Sequence, residues 1–256
     1  MRTLPFAPIS LPAAGYPSGE PPRDTQPTLQ FQDFLLFMPV LLFSVIAHEY
    51  AHGYAALKQG DDTALMLGRL TWNPAKHIDP FMTVLLPLML WLVHAPILGG
   101  AKPVPVNPRK YRNFKRGDII VSLAGVFTNL LVGLGCVVFV ALFGLAGRAV
   151  PGLDMSMGIL QAMMILGVQL NMILIAFNLI PIPPLDGSHV VKYLLPASWS
   201  LRYMQFSRAG ILVLIAVMYL APGALNVWLT PAIKASYAMI GAVDGTILPS
   251  TAQWLR

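Results

Sequence analysis

Unbroken apolar runs constrain this chain more than any other feature. One covers about residues 34–57; others cover about 80–98, 119–146, 157–182 and 210–229, and a weaker stretch reaches about 248. A helix rises about 1.5 Å per residue, so a run of roughly 20 residues crosses a hydrocarbon core of roughly 30 Å. Lipid offers the backbone no water, and spanning segments must close their own hydrogen bonds. The runs therefore predict an all-α polytopic membrane protein, a bundle of about five to six transmembrane helices. Composition agrees, with 56% hydrophobic and only 11% charged residues, where a soluble domain carries about 25% charged. The glycines Gly125, Gly133, Gly135 and Gly144 in the 119–146 run permit close helix approach in lipid.

The net charge of +6 could suggest nucleic-acid binding, but its placement argues against it. Six of the seventeen basic residues (Lys102, Arg109, Lys110, Arg112, Lys115 and Arg116) share one loop between apolar runs. That is the pattern of a cytoplasmic loop under the positive-inside rule, so the expected partner is the lipid bilayer and not nucleic acid. The single cysteine, Cys136, lies inside an apolar run and reads as a small buried hydrophobe. Residues 1–30 hold seven prolines and no periodicity, which predicts a disordered tail without the apolar core of a secretory signal. The expected organisation is this tail, a core over 31–208, and C-terminal transmembrane or interfacial helices over 209–256.

The first run contains His48-Glu49-Tyr50-Ala51-His52. Positions four apart share a helix face, so both imidazoles can reach one metal ion. Glu49 is turned about 100° from His48 and sits beside such an ion, where it can take a proton from water. A charge at membrane depth costs about 2.5–3.5 kcal/mol and is functional by default. The competing reading is a polar patch at a helix contact.

A catalytic zinc site typically has three protein ligands. His77 lies in a polar loop, His94 stands near a helix end, and His189 follows a turn, so none is a strong third ligand. Asp186 is better. The prolines Pro181, Pro183 and Pro184 break the helix before it, and Gly187 permits a turn after it. Irregular backbone at membrane depth needs cover from protein or a wet cavity, which marks an acid there as a candidate. A simple helix cap at the membrane surface is the alternative.

Both motifs lie near the C-terminal ends of their runs, so their helices must run in the same direction to meet. The basic loop at 102–116 sets the 119–146 helix running outward, and the 157–182 helix returns Asp186 to the cytoplasmic face. The His48 helix then also runs inward, with the N-terminus outside. On this parity the 80–98 run enters the membrane and returns through extended residues 99–108, about 33 Å of chain. Such a segment would expose a strand edge for an unwound peptide, with Lys102, Pro103 and Val104 as candidate contacts. An ordinary transmembrane helix with a surface loop is the other possibility.

HEYAH at 48–52, Ser122-Leu-Ala-Gly-Val-Phe-Thr-Asn129 and Asn178-Leu-Ile-Pro-Ile-Pro-Pro-Leu-Asp-Gly187 together resemble the site-2 protease family of intramembrane metalloproteases. The segments at 68–80 and 100–108 resemble a compact bacterial branch without a PDZ domain. The likeness covers roughly residues 34–200. It implies Zn2+ held by His48, His52 and Asp186, Glu49 as catalytic base, and Asn129 holding substrate or stabilising an oxyanion. Asn178 joins the implied substrate contacts. Asn129 could equally make an interhelical hydrogen bond. The implied protein is a multi-pass enzyme of a bacterial cytoplasmic membrane that hydrolyses transmembrane protein substrates. The sequence assigns no oligomeric state. Val126 replaces the family's usual Pro, His189 its frequent Arg and Gly100 a common aromatic, departures that bear on substrate handling. The rival class is a non-proteolytic metal-binding protein or transporter, which would spread paired ionisable groups across the bilayer; here they gather at one depth.

Overall fold

The computed structural model describes residues 31–85, 88–89, 92, 100–150, 152–205 and 207–253. The proline-rich residues 1–30 and most of the 86–99 stretch lie outside these, and so does His94.

The first apolar run folds as α1 (Phe31–Gln59), followed by one short turn, α2 (Thr63–Met66). Gly60, with φ 108°, ends α1. The amide of Asp61 reaches back to the Ala56 carbonyl at 2.9 Å, closing the last turn as helix ends commonly do. Asn113 starts the next long helix, α3 (Phe114–Ala149), by accepting from the Arg116 amide at 3.0 Å. The chain returns as α4 (Asp154–Asn178), which stops before Pro181 as the proline cluster predicts. Short α5 (Asp186–Val191) and α6 (Ala197–Gln205) lead to α7 (Ser207–Leu220) and α8 (Pro222–Gly241).

Among the described residues three helices, α1, α3 and α4, are long and apolar enough to cross a membrane. A fourth span exists if α7 and α8 count as one, although they are bent by 87°. Five or six spans were expected. The difference arises at 80–98, which lies mostly outside the described residues, and at 210–229. Pro222 divides the latter: it has no N–H to continue a helix, and Ala221 before it leaves helical geometry at φ −133° and ψ 52°.

No strand forms among the described residues. Residues 100–107 run without regular structure, because Pro103 and Pro105 cannot donate to a ladder. Their anchors come from elsewhere. Lys102 N–H donates to His77 O at 2.7 Å, and the Asn107 amide donates to buried Asp61 at 2.5 Å. Lys110 binds Asp62 at 2.6 Å, and this bond holds the Asp62 carboxyl below its ordinary range. The Arg112 amide reaches the Gln59 carbonyl at 2.8 Å, so the two ends of the 60–112 excursion meet.

Helices α3 and α4 share a core of Cys136, Val140, Ala162, Ile165 and Val168, completed by Ile240 of α8. Cys136 is thus the small buried hydrophobe expected. A second cluster joins Ala176 and Ile180 to Leu225 and Leu229, so α8 packs along α4. The fully buried Gln161 draws the C-terminal residues onto this core. Its amide donates to the Val140 and Thr246 carbonyls and accepts from the Leu248 amide and Thr251 hydroxyl. Every polar atom of that side chain is paired, as burial among apolar helices demands.

Candidate metal centre

His48 and His52 project from one face of α1, one turn apart, with Nε2 atoms 2.9 Å from each other. Asp186, the first residue of α5, brings Oδ2 to 3.2 Å from His48 Nε2 and 3.4 Å from His52 Nε2. The proline-broken stretch between α4 and α5 makes this possible by turning the chain back toward α1. Gly187 is needed there for a reason other than the turn. Its φ is not positive, but a Cβ would run into the Leu179 backbone, so only glycine lets α5 pack this closely. Nor does Asp186 cap its helix: α5 has no side-chain cap bond at its start.

The donor set fits zinc. His52 Nδ1–H donates to the Val121 carbonyl at 2.7 Å. A carbonyl only accepts, so the neutral ring leaves the Nε2 lone pair for a metal. Asp186 Oδ2 is buried and has no hydrogen-bond donor among the described residues. Tetrahedral zinc with bonds of about 2.0–2.1 Å places its ligand atoms about 3.3 Å apart, close to the three separations found. Two imidazoles and one carboxylate also match the ligand number of catalytic zinc sites. Among the described residues this is the one group of three or more such side chains placed to share an ion.

Helix α3 provides the floor. A Cβ on Gly125 would stand 2.5–2.6 Å from the His48 ring and from His52 Nε2, so the rings rest directly on the bare backbone. One turn along the same face is Asn129, fully buried, with neither amide atom bonded among the described residues.

Glu49 stands outside the ligand triangle. Its Oε2 accepts the Val104 amide at 2.8 Å, which orients the carboxylate and leaves Oε1 without that bond. The other backbone groups near Val104 are also engaged, with Arg69 donating to the carbonyls of Lys102 and Pro103 at 2.9 and 3.3 Å. The stretch Lys102–Val104 therefore reaches the site with most of its backbone groups already bonded within the protein. Asn178 ends α4 and donates to the Leu174 carbonyl of its own helix at 2.9 Å. His77 is buried and bonded to the Thr71 carbonyl, and His189 faces Asp118, so neither joins the metal ligands.

Sequence reasoning missed Val121 and the Val104 amide, because each acts through its backbone and no side-chain pattern announces it. Gly125 did carry a signal: it lies within the SLAGVFTN motif and on a glycine-rich helix.

Known proteins resemble this chain. The model of peptidase family M50 matches residues 148–221, which contain Asp186 but not the histidine pair. "Putative zinc metalloprotease YwhC" of Bacillus subtilis is 37% identical over 202 residues, covering 76% of this chain and 86% of that protein. "Putative zinc metalloprotease Rip2" of Mycolicibacterium smegmatis is 29% identical over 197 residues, 76% of this chain and 70% of its own length. The protein of that name from Mycobacterium tuberculosis is 28% identical over 204 residues, covering 79% and 73%. No solved structure matches the chain.

Proposed function

We propose that this chain, which belongs to peptidase family M50, the site-2 protease family, is an endopeptidase that cuts transmembrane proteins near the cytoplasmic face of its membrane, with Glu49 as base. The observation that carries this reading is the convergence of His48, His52 and Asp186 beside Glu49, on helices apolar enough to span lipid. Zinc, when bound there, supplies a Lewis acid that polarises the scissile carbonyl and acidifies water enough to attack near neutral pH.

The protein's own groups do the rest. Glu49 holds the Val104 amide on Oε2, takes the proton of the attacking water on Oε1, and delivers it to the departing amine. A C–O bond to the water oxygen forms as the carbonyl π bond opens to an oxyanion; on its collapse the C–N bond breaks and the amine leaves with the proton that Glu49 held. Asn129 donates its amide to the carbonyl oxygen as negative charge develops there. A transmembrane substrate must unwind locally first, because its helical hydrogen bonds hide the carbonyl. In this reading the side chains of Lys102, Pro103 and Val104 flank the unwound strand beside Glu49, and Asn178 lies at the end of the helix that leads to Asp186.

Chelation tests the proposal. Purified protein in proteoliposomes should cleave a transmembrane substrate, lose that activity with a zinc chelator, and regain it when zinc is restored. Cleavage that survives complete removal of metal would sink it.

The proposed topology puts positions 60 and 112 on the cytoplasmic side, with 99–108 dipping into the bilayer. Supporting this, the Gln59–Arg112 bond brings the two ends together, and Trp72 stacks on Tyr50 at 4.7 Å and on Phe43 at 6.2 Å, alongside the span of α1. Single cysteines at 60 and 112 should both react with an impermeant maleimide from the cytoplasmic face. Labelling from opposite faces would overturn the arrangement.

A further inference from the structure

Asp186 begins a helix of only six residues that follows a proline-broken stretch. So short an element cannot fix its own position, since isolated helices of that length are unstable. Its far end is tied to a single carboxylate. Asp118, on the second turn of α3 and 3% exposed, meets Lys192 Nζ at 2.5 Å and accepts the Tyr193 hydroxyl at 3.0 Å, both on Oδ2. His189 Nδ1 lies 3.3 Å from the other oxygen. All three partners belong to α5 or the turn directly after it. Burial and then the bond to Asp118 push the Tyr193 phenol above its ordinary range.

A buried carboxylate left alone costs several kcal/mol, so an acid at this place requires a purpose and these partners. The hydrolytic step gives it none. What distinguishes it is the helix that carries it. Further along α3, the Val121 carbonyl fixes the His52 ring and Gly125 seats both imidazoles. The same helix therefore registers the histidines at one level and α5 at another.

We propose that Asp118 is a positioning residue for the metal centre: by clamping His189, Lys192 and Tyr193 it locks α5 to α3 and holds the Asp186 carboxylate at ligand distance from the two histidines. The inference rests on the reading of His48, His52 and Asp186 as zinc ligands.

The test compares zinc affinity with fold stability in detergent-purified protein, using competition with a chelator for zinc and thermal melting of the metal-free form. Asp118→Asn should weaken zinc binding about 10–100-fold, the usual loss for a group that orients a ligand. Metal-free melting should fall, because Lys192 loses its buried carboxylate, but the metal-free protein should stay folded at the assay temperature, with KM unaltered and kcat restored by excess zinc. Lys192→Gln should act in the same direction, whereas Lys192→Arg should keep wild-type affinity. Asp62→Asn, which breaks an exposed pair away from the site, should change neither affinity nor activity. Unchanged affinity in Asp118→Asn would overturn the clamp. So would a metal-free Asp118→Asn protein already unfolded at the assay temperature, or failure of both Asp118→Asn and Lys192→Gln to fold. A wild-type protein that binds no zinc would instead overturn the ligand assignment, and the clamp with it.

Discussion

Glu49→Gln should retain one zinc per chain and lose about 10²–10⁴-fold in turnover, the range assigned to a positioned acid–base group. The change is nearly isosteric. The Gln carbonyl oxygen can still accept the Val104 amide, so the segment at 100–107 keeps its place against α1. What disappears is the ability to take a proton. The candidate donors are untouched, because they belong to His48, His52 and Asp186. Zinc content by elemental analysis, measured on the preparation used for cleavage, separates the two effects. Full activity in this variant would remove Glu49 from the mechanism. Loss of zinc would mean that it acts on the site's assembly and not on the proton. A transporter or inert metal-binding protein would show no cleavage to lose, so the same experiment distinguishes the classes.

Asn129→Ala should lower turnover about 10²–10³-fold, the usual loss when one oxyanion donor is removed. Zinc should stay bound. The melting temperature should hold or rise slightly, for a specific reason. Both amide atoms of Asn129 are fully buried and lack partners among the described residues, a condition that costs about 1–3 kcal/mol when polar groups go unsatisfied. Deleting them sacrifices no hydrogen bond within the protein. Were Asn129 a packing residue, its amide would be paired across helices and its loss would cost about 0.6 kcal/mol. Cleavage rate and melting therefore move apart if the residue serves substrate. A variant that cleaves normally, or one that unfolds, would return Asn129 to packing.

The sequence by itself determined the solvent, the principal helices and the three side chains that converge on the candidate metal centre. Run length fixed the helices α1, α3 and α4, because a chain in lipid has few other ways to satisfy its backbone. The four-residue spacing of His48 and His52 fixed their shared face, since helical periodicity is a local property. Asp186 was legible because prolines stop a helix wherever they occur. Local rules could not supply the rest. Pro222 divided a run that reads as continuous by hydropathy alone, and its 87° bend depends on what α7 and α8 pack against. The prolines at 103 and 105 denied residues 100–107 a strand ladder, yet tertiary bonds still delivered the Val104 amide to Glu49, 55 positions away in sequence. Gln161 looks like a polar interruption of an apolar helix until residues 246–251 fold onto it. Asp118 likewise reads as a charge near a basic loop, and only the packing of α5 on α3 shows the three side chains that it holds. In each case the deciding partner is a backbone group or a distant side chain. Its position is set by how helices stack, and no spacing within one segment encodes that.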